Sequence, residues 1–245
     1  MHKSSMLRMK WFVDNYVSKI DKNPIKVLDV GSCDVYGAYK PLFNDQKFQY
    51  EGLDIVPGPN VDIIMHNPYN WKELKTDSYD IVISGQTFEH SEFVWVTMAE
   101  IARVLKKDGI TCIIAPNGFG EHRHPVDCYR FFSDGMIALA RYVSLEPLHA
   151  HTNAAPAPYH FDWYSFKRSD TMLVARKPYS GEVQYVNLSE YICIPPIQEK
   201  LRENFRPLRT GKQKIKYFFY AIRHPKRWKD AFKFVKECFT LLNLR

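Results

Sequence analysis

The stretch that decides the fold covers residues 25–37 and reads IKVLDVGSCDVYG. Its apolar run ends at Gly31, as a buried parallel strand does when it leads into a ligand-binding turn. A glycine there lets the backbone turn sharply and approach a ligand without a Cβ in the way. A second apolar run, residues 48–55, closes on Asp54. An acid at the tip of a second strand is placed to bind ribose hydroxyls, so the pattern predicts a nucleoside site.

The composition is that of an ordinary globular protein, with 245 residues, 45% of them hydrophobic and 25% charged. Its five cysteines are widely spaced and form no Cys-x-x-Cys pair. This indicates reduced thiols rather than a disulfide scaffold or a cysteine zinc site. The first residues lack a signal-peptide pattern, and no run of about 18 apolar residues occurs. We therefore expect a cytoplasmic protein.

The net charge of +7 is concentrated near the C-terminus. Residues 200–245 hold 14 Lys and Arg against 3 Asp and Glu, so the rest of the chain is slightly acidic. We predict two parts: residues 1–177, with an N-terminal helix inside 1–24, and a basic, mainly helical C-terminal extension, 178–245. Residues 212–245 have three interpretations: contact with the inner face of an anionic membrane, binding of nucleic acid, or packing on the body or a second subunit.

Strands and helices alternate along the first part. The predicted helices cover residues 7–20, 36–43, 94–107 and 133–142, and the predicted strands cover 25–30, 48–55, 61–65, 79–84, 110–115, 145–149 and 171–176. This order predicts an α/β fold: a Rossmann-like, mostly parallel seven-stranded sheet with helices on both faces.

Five short motifs recur in this order in one enzyme family: VLDVG at 27–31, Asp54, YDIV at 79–82, FEH at 88–90 and RVLKKDG at 103–109. Together they resemble the class I S-adenosylmethionine-dependent methyltransferases over residues 25–176. Cys33 departs from the family pattern, because it occupies the place of a second glycine. That change would hinder a pyrophosphate but is compatible with S-adenosylmethionine, so the methyl donor is favoured over NAD.

The resemblance implies a donor site, with S-adenosylhomocysteine as product. Asp54 would hold the ribose, Ile55 would pack on the adenine, and His66 with Asn67 would meet the adenine edge. For Asp54 the alternative is a cap or a solvated acid, and for His66 and Asn67 a turn is as good an interpretation. The remaining donor-site residues would surround the methionine moiety or its turn: Asp29, Gly31, Ser32, Cys33, Gly85 and Gln86.

Residues 120–132 read GEHRHPVDCYRFF and follow the fifth strand. They are similar to the His-x-Pro-x-Asp-Tyr-Trp-Arg-Phe loop of methyltransferases encoded with bacterial capsule and lipopolysaccharide genes. The resemblance implies His124 or His90 as base and Asp127 as the residue that orients it. It implies an anion clamp at Arg130, and substrate contacts at His122 and Tyr129. Two alternatives stay open: an Asp127–Arg130 salt bridge that only shapes the loop, and a divalent metal ion on His122, His124 and Asp127, which is less favoured.

The sequence thus predicts an O-methyltransferase acting on an anionic small molecule. The family link suggests a sugar, a sugar-nucleotide or a phosphorus-containing precursor of a bacterial surface polysaccharide. Two other functions compete: an RNA-modifying methyltransferase that docks through the basic extension, and a nucleoside-binding protein that no longer transfers a methyl group.

Overall fold

The computed structural model describes residues 3–35, 37–118, 120–152 and 170–179. Its centre is a seven-stranded sheet in the order β3-β2-β1-β4-β5-β7-β6. The strands are β1 (Ile25–Val30), β2 (Phe48–Asp54), β3 (Ile63–Ile64), β4 (Tyr79–Gly85), β5 (Leu105–Pro116), β6 (Glu146–Thr152) and β7 (Asp170–Arg176). Only β7 runs antiparallel to its neighbours, so the predicted mostly parallel, Rossmann-like sheet is confirmed.

Helices cover both faces of the sheet. On one face lies α1 (Lys3–Asn15), whose Met9 and Phe12 pack on the apolar side chains of β1, β4 and β5. The other face is covered by α2 (Val94–Val104) and α3 (Ser133–Tyr142). Since β4 lies between these layers, all seven of its residues are buried, which explains its continuous apolar run.

Three elements differ from their predicted bounds. The predicted helix 36–43 is reduced, in the described residues, to one 3-10 turn, Lys40–Phe43, and the predicted strand 61–65 is only Ile63–Ile64. The helix predicted to end at residue 107 stops at Val104, because Leu105 already pairs with Tyr79 of β4. The lysines that suggested a helix C-terminus belong to a bulge between that pair and the next one, formed by Ile81 and Ile110.

The N-terminus of α1 lies at the carboxyl edge of the parallel strands. Ser4 donates a hydrogen bond of 2.5 Å to the buried carboxylate of Asp170, at the start of β7. Arg8, also buried, lies 3.9 Å from the same carboxylate. Because a buried ion pair must offset a large desolvation cost, we interpret this contact as positional. It places the first turn of α1 beside the exit of β4.

The C-terminal extension predicted for 178–245 lies, from residue 180 onward, outside the described residues. Its predicted helices, and its predicted contacts with membranes or nucleic acid, therefore stay predictions. Among the described helices, none combines the length and the apolar character needed to cross a bilayer.

Candidate active site

Asp54 closes β2 and organises the turns at the tips of β1 and β2. Its carboxylate accepts hydrogen bonds from the backbone N–H of Cys33, at 2.9 Å, and of Ile55, at 2.7 Å. One acid thus connects the turn after β1 to the turn after β2. Asp54 caps backbone groups, as the alternative interpretation proposed. Oδ1 also accepts the backbone N–H of Val56 at 3.4 Å, whereas Oδ2 accepts only that of Cys33 among the described residues, so Oδ2 keeps capacity for a ribose hydroxyl.

The turn after β1 is fitted closely to the turn after β4. Gly31 has a φ of +76°, and a Cβ built on it would lie 2.0 Å from the Oγ1 atom of Thr87. The following residue, Ser32, is buried, and its hydroxyl finds no hydrogen-bond partner in the described part of the chain. The same holds for the side-chain carbonyl of Asn60, whose amide donates to the Ser32 carbonyl at 3.0 Å.

Exposed apolar side chains occur in the same two turns. Val35 is 66% exposed in the turn after β1, and Ile55 and Val56, in the turn after β2, are 45% and 49% exposed. A polar group without a partner costs free energy unless a ligand or water pairs with it. Two hydrogen-bond acceptors (the Asp54 carboxylate and the Asn60 side-chain carbonyl), one hydrogen-bond donor (the Ser32 hydroxyl) and apolar side chains lie in turns at one sheet edge. These groups fit the ribose and adenine of S-adenosylmethionine.

The methionine side of the predicted donor site is more enclosed. Asp29 is buried and accepts a hydrogen bond from the Tyr50 hydroxyl. Burial raises the pKa of Asp29 to about 7, although the Tyr50 hydrogen bond acts in the opposite direction. Gln86, with a φ of +59°, extends its side chain to Asp170 at 3.1 Å. A Cβ on Gly85 would meet the Tyr39 hydroxyl at 2.0 Å, so this glycine allows close packing.

His66 and Asn67 lie in the turn that follows β3. The His66 ring is exposed and pairs through Nδ1 with Glu73 at 2.8 Å. The Asn67 side chain accepts a hydrogen bond from the backbone N–H of Tyr69 at 2.9 Å, which is an Asx turn. Both residues therefore have a local structural role. Contact with the adenine edge stays a prediction for them.

Three histidines meet at the carboxyl edge beyond β4 and β5. The ring centroid of His90 lies 5.0 Å from that of His122 and 5.7 Å from that of His124, and the latter two are 6.0 Å apart. His90 belongs to the 3-10 turn Phe88–His90, and the other two come from the loop after β5. The structure thus brings together three histidines that the sequence analysis assigned to catalysis and substrate binding.

Hydrogen bonds select the tautomer of His90. Its Nδ1 lies 2.6 Å from the backbone carbonyl of Val126, and since a carbonyl only accepts, Nδ1 carries the proton. Burial lowers the pKa of His90, which favours the neutral ring. The lone pair is therefore on Nε2, which lies 3.7 Å from Glu89.

Glu89 is fully buried, and neither of its carboxylate oxygens has a hydrogen-bond partner among the described residues. Burial raises the pKa of this carboxyl to about 8. From the sequence, Glu89 was placed only in the FEH motif at 88–90. An unpaired acid was not foreseen, because burial is not visible in a short loop motif.

Asp127 and Arg130 hold the loop together. The guanidinium of Arg130 binds both carboxylate oxygens of Asp127, at 2.5 and 2.7 Å, and reaches the Gly120 carbonyl at 3.0 Å. Asp127 also accepts the backbone N–H of His122 at 2.7 Å. The Arg130 hydrogen bond holds the pKa of Asp127 well below its usual range. This geometry favours the alternative in which the pair shapes the loop. The clamp assigned to Arg130 and the orienting role assigned to Asp127 stay predictions.

A groove elsewhere on the molecule lies at the opposite edge of the sheet, beside α1 and the amino end of β5. It is lined by Trp11, Asn15, Tyr16, Lys19, Ile20, Asp108, Ile110, Leu148 and Arg176. None of the residues assigned above to the donor site or to catalysis lines it, and ligands of open α/β sheets bind at the carboxyl edge. We therefore locate the candidate active site at the carboxyl edge and not in this groove.

One family model matches part of the chain. The family described as "Methyltransferase domain" matches residues 28–113, which include β1, β4 and the Phe88–His90 turn. No curated protein matches the sequence.

Three solved structures illustrate the shared fold. The methyltransferase in complex with the Trm112 activator of Haloferax volcanii is 18% identical, with a TM-score of 0.50, over 72% of this chain and 96% of its own. A Burkholderia thailandensis 1,6-didemethyltoxoflavin-N1-methyltransferase, solved with substrate and S-adenosylhomocysteine, is 17% identical, with a TM-score of 0.53, over 71% of this chain and 78% of its own. The [4+2]-cyclase SpnF is 16% identical, with a TM-score of 0.53, over 70% of this chain and 80% of its own.

At these identities the structural likeness shows the fold, and the cyclase demonstrates that the fold serves more than one reaction. The family match, over about a third of the chain, supports a methyltransferase domain in residues 28–113. The acceptor is not decided by either comparison.

Sequence reasoning missed the residues that support the donor site from neighbouring turns, namely Tyr50, Asn60 and Thr87. Tyr50 has a signal, because it lies at even spacing from Asp54 on the same strand and so shares its face. Asn60 was noted only as part of a Pro-Gly-Pro-Asn turn. Its contact with Ser32 joins two turns that are 28 residues apart and has no local signal.

Proposed function

We propose that the protein is an S-adenosylmethionine-dependent O-methyltransferase whose acceptor is an anionic precursor of a bacterial surface polysaccharide: a sugar, a sugar-nucleotide or a phosphorus-containing group. The observation that carries this proposal is the grouping of His90, His122 and His124 at the same sheet edge as the donor-site turns. A hydroxyl needs a general base to become a nucleophile, and imidazole suits that role near neutral pH.

His124 is the base in this proposal. It is exposed at the rim of the histidine cluster, where an acceptor can reach it, whereas His90 is half-buried and binds the Val126 carbonyl. His124 would take the proton of the acceptor hydroxyl as the oxygen attacks the donor methyl group. The carbon–sulfur bond breaks, a carbon–oxygen bond forms, and S-adenosylhomocysteine leaves.

The residues around the cluster suit a sugar-like acceptor. Phe93 and Trp95 are 47% and 40% exposed, and their rings lie 5.8 Å apart at the start of α2. The Tyr129 hydroxyl donates to the Glu92 carbonyl at 2.7 Å, which fixes this aromatic surface beside the loop that holds the histidines. Exposed apolar patches rimmed by polar groups mark ligand-binding surfaces. The imidazoles of His122 and His124 would contact the anionic part of the acceptor.

The test combines donor binding with methyl transfer. We expect calorimetry to show binding of S-adenosylmethionine and S-adenosylhomocysteine to the full chain, at least tenfold weaker in Asp54→Ala, because the acid would lose its ribose hydrogen bonds. Transfer of a labelled methyl group to a panel of sugar nucleotides and phosphorylated sugars should occur with wild type and fall at least a hundredfold in His124→Asn, as expected for a lost general base.

The outcomes distinguish the competing functions. Donor binding without transfer to any member of the panel, but with transfer to RNA, would replace the proposal with RNA modification. Donor binding with no transfer to either would favour a nucleoside-binding protein. Equal turnover by His124→Asn and wild type would remove His124 from the role of base.

A further inference from the structure

The side chain of Glu89 is buried and has no hydrogen-bond partner among the described residues. It is 0% exposed, and neither oxygen accepts a hydrogen bond within residues 3–35, 37–118, 120–152 and 170–179. A buried carboxyl group without partners is costly whether it is charged or neutral, because its hydrogen-bonding capacity is lost with the water. Such a group points to a partner outside these residues, such as a bound ion or water.

Two imidazoles face this carboxylate. One ring nitrogen each of His90 and His122 and one oxygen of Glu89 all lie within 4.8 Å of one another. Atoms at such separations can contact a single ion placed between them, since metal bonds to nitrogen and carboxylate oxygen are about 2.0–2.2 Å long. The set contains two imidazoles and one carboxylate.

The hydrogen bonds of both histidines orient a lone pair for coordination. Nδ1 of His90 donates to the Val126 carbonyl at 2.6 Å, and Nδ1 of His122 lies 3.2 Å from the Gly120 carbonyl. A proton on Nδ1 places the lone pair of each ring on Nε2, and in His90 this nitrogen lies 3.7 Å from Glu89. Metal-binding histidines are usually held in this way, with the other ring nitrogen donating to a carbonyl or carboxylate.

We propose that Glu89, His90 and His122 bind one divalent first-row transition-metal ion. Imidazole ligands favour iron, cobalt, nickel or zinc over magnesium and calcium, which prefer oxygen ligands. Three protein ligands leave coordination positions open, so water or an acceptor oxygen completes the site.

This ligand set differs from the one considered in the sequence analysis. Asp127 is engaged by both terminal nitrogens of Arg130 and by the backbone N–H of His122, so its oxygens serve the loop. Glu89 replaces it as the acidic ligand. His124, outside the set, keeps its role as base, whereas His122 meets the acceptor through the ion and not directly.

The use of the metal in catalysis rests on the proposed function, whereas metal binding does not. In that use the ion binds the acceptor hydroxyl oxygen and lowers the pKa of the hydroxyl. His124 would receive the proton, and the acceptor oxygen would attack the methyl group as the carbon–sulfur bond breaks. No oxidation or reduction takes place in this step.

Cobalt(II) is the probe of choice, because its visible absorption reports the coordination of nitrogen and oxygen ligands directly. Full-length protein, stripped with a chelator, is titrated with cobalt(II) by absorbance and calorimetry. We expect one ion per chain for wild type, and an affinity at least a hundredfold lower for Glu89→Gln and for His122→Asn, since each removes a ligand.

Glu73→Gln is the matched control. Glu73 pairs with His66 at 2.8 Å, so it tests a histidine–glutamate pair at the surface, and its affinity for cobalt should stay within twofold of wild type. No stoichiometric binding by wild type would overturn the site, as would equal binding by Glu89→Gln and wild type. His122→Asn, at a half-buried position, covers the case in which Glu89→Gln fails to fold.

The same samples are tested for binding of S-adenosylhomocysteine, which keeps the two proposals separate. Binding of the nucleoside with no cobalt binding overturns the metal site and leaves the proposed function standing. Cobalt binding with no nucleoside binding does the reverse. Metal-dependent methyl transfer, lost in Glu89→Gln, would support both.

Discussion

The acids of the donor turns and the acids near the histidines differ in how the protein pairs them. Asp54 caps two backbone turns, and Asp29 receives the Tyr50 hydroxyl. On the histidine side, Asp127 is held by Arg130, but Glu89 is buried without any hydrogen bond from the described residues. A paired acid defines the shape of its own loop. An unpaired buried acid indicates a partner outside the described residues.

The site therefore has two parts. The rigid donor side has closely packed turns, and the acceptor side contains a buried acid with no hydrogen-bond partner among the described residues. On the donor side, the turns after β1 and β4 approach so closely that a Cβ on Gly31 would lie 2.0 Å from Thr87. On the acceptor side, the Asp127–Arg130 pair shapes the loop, and the same loop carries His122 and His124. The following predictions test each side separately.

The largest effect is expected from Gly31→Ala. The variant must adopt a φ of +76° and displace Thr87, which together cost about 2–5 kcal/mol of the free energy of unfolding. Thermal unfolding and calorimetric titration with S-adenosylhomocysteine measure the two consequences, a lower Tm and weaker binding. Gly135→Ala is the control, because a Cβ there meets nothing within 4 Å and alanine favours α3. Equal stability of the two variants would contradict the inference that the turns of the donor side are rigidly packed.

Asp127→Asn should lower methyl transfer, which depends on the acceptor side, without changing the binding of S-adenosylhomocysteine to the donor side. Losing the charge weakens the contacts to Arg130 and to the His122 backbone, so the loop no longer holds its histidines in place. We expect at least a tenfold fall in methyl transfer, with the affinity for S-adenosylhomocysteine within twofold of wild type.

Glu121→Gln is the control in the same loop. Its ion pair with Arg123 has an N–O distance of 2.8 Å and is exposed on both sides, so it contributes little. An Asp127→Asn variant that behaved like Glu121→Gln would show that the acceptor side does not depend on this salt bridge.

The affinity for the donor should depend on pH through Asp29. Burial raises its pKa to about 7, so below that value the carboxyl is protonated and neutral. The cationic donor favours the ionised form, and the proton must leave before binding. Affinity should therefore rise about tenfold between pH 6 and pH 8 and then level off, as expected for a single group with this pKa. Calorimetry across this range should show a flat profile for Asp29→Asn, and an equally steep profile would exclude Asp29.

The sequence was sufficient to predict the order of strands and helices, but not which residues pair with each other. The apolar runs of β1, β4 and β5 and the helical spacing of α2 and α3 are local patterns, so their order predicted the sheet. The end of α2 was misplaced because the pairing of Leu105 with Tyr79 outweighs the Lys-Lys-Asp-Gly signal that follows. Tertiary pairing decides such boundaries.

In the site, residue types were predictable but their partners were not. The three histidines could be grouped because their strands end at one edge of the sheet. Nothing in the sequence showed that Arg130 would bind the Gly120 carbonyl as well as Asp127, or that Glu89 would be buried without a hydrogen bond. Such contacts depend on the path of a loop, which has no periodic signal.

The smallest effect is expected at Cys33, where the sequence departs from the glycine pattern of the methyltransferases. The structure uses the backbone N–H of this residue, which donates to Asp54 at 2.9 Å, while its sulfur lies over Gly58. Cys33→Ala keeps the backbone donor and removes only the sulfur. Its affinity for S-adenosylhomocysteine, measured by calorimetry, should stay within twofold of wild type. A tenfold loss would mean that the thiol itself contacts the donor, and the rigid donor side would then rest on a side chain as well as on the backbone.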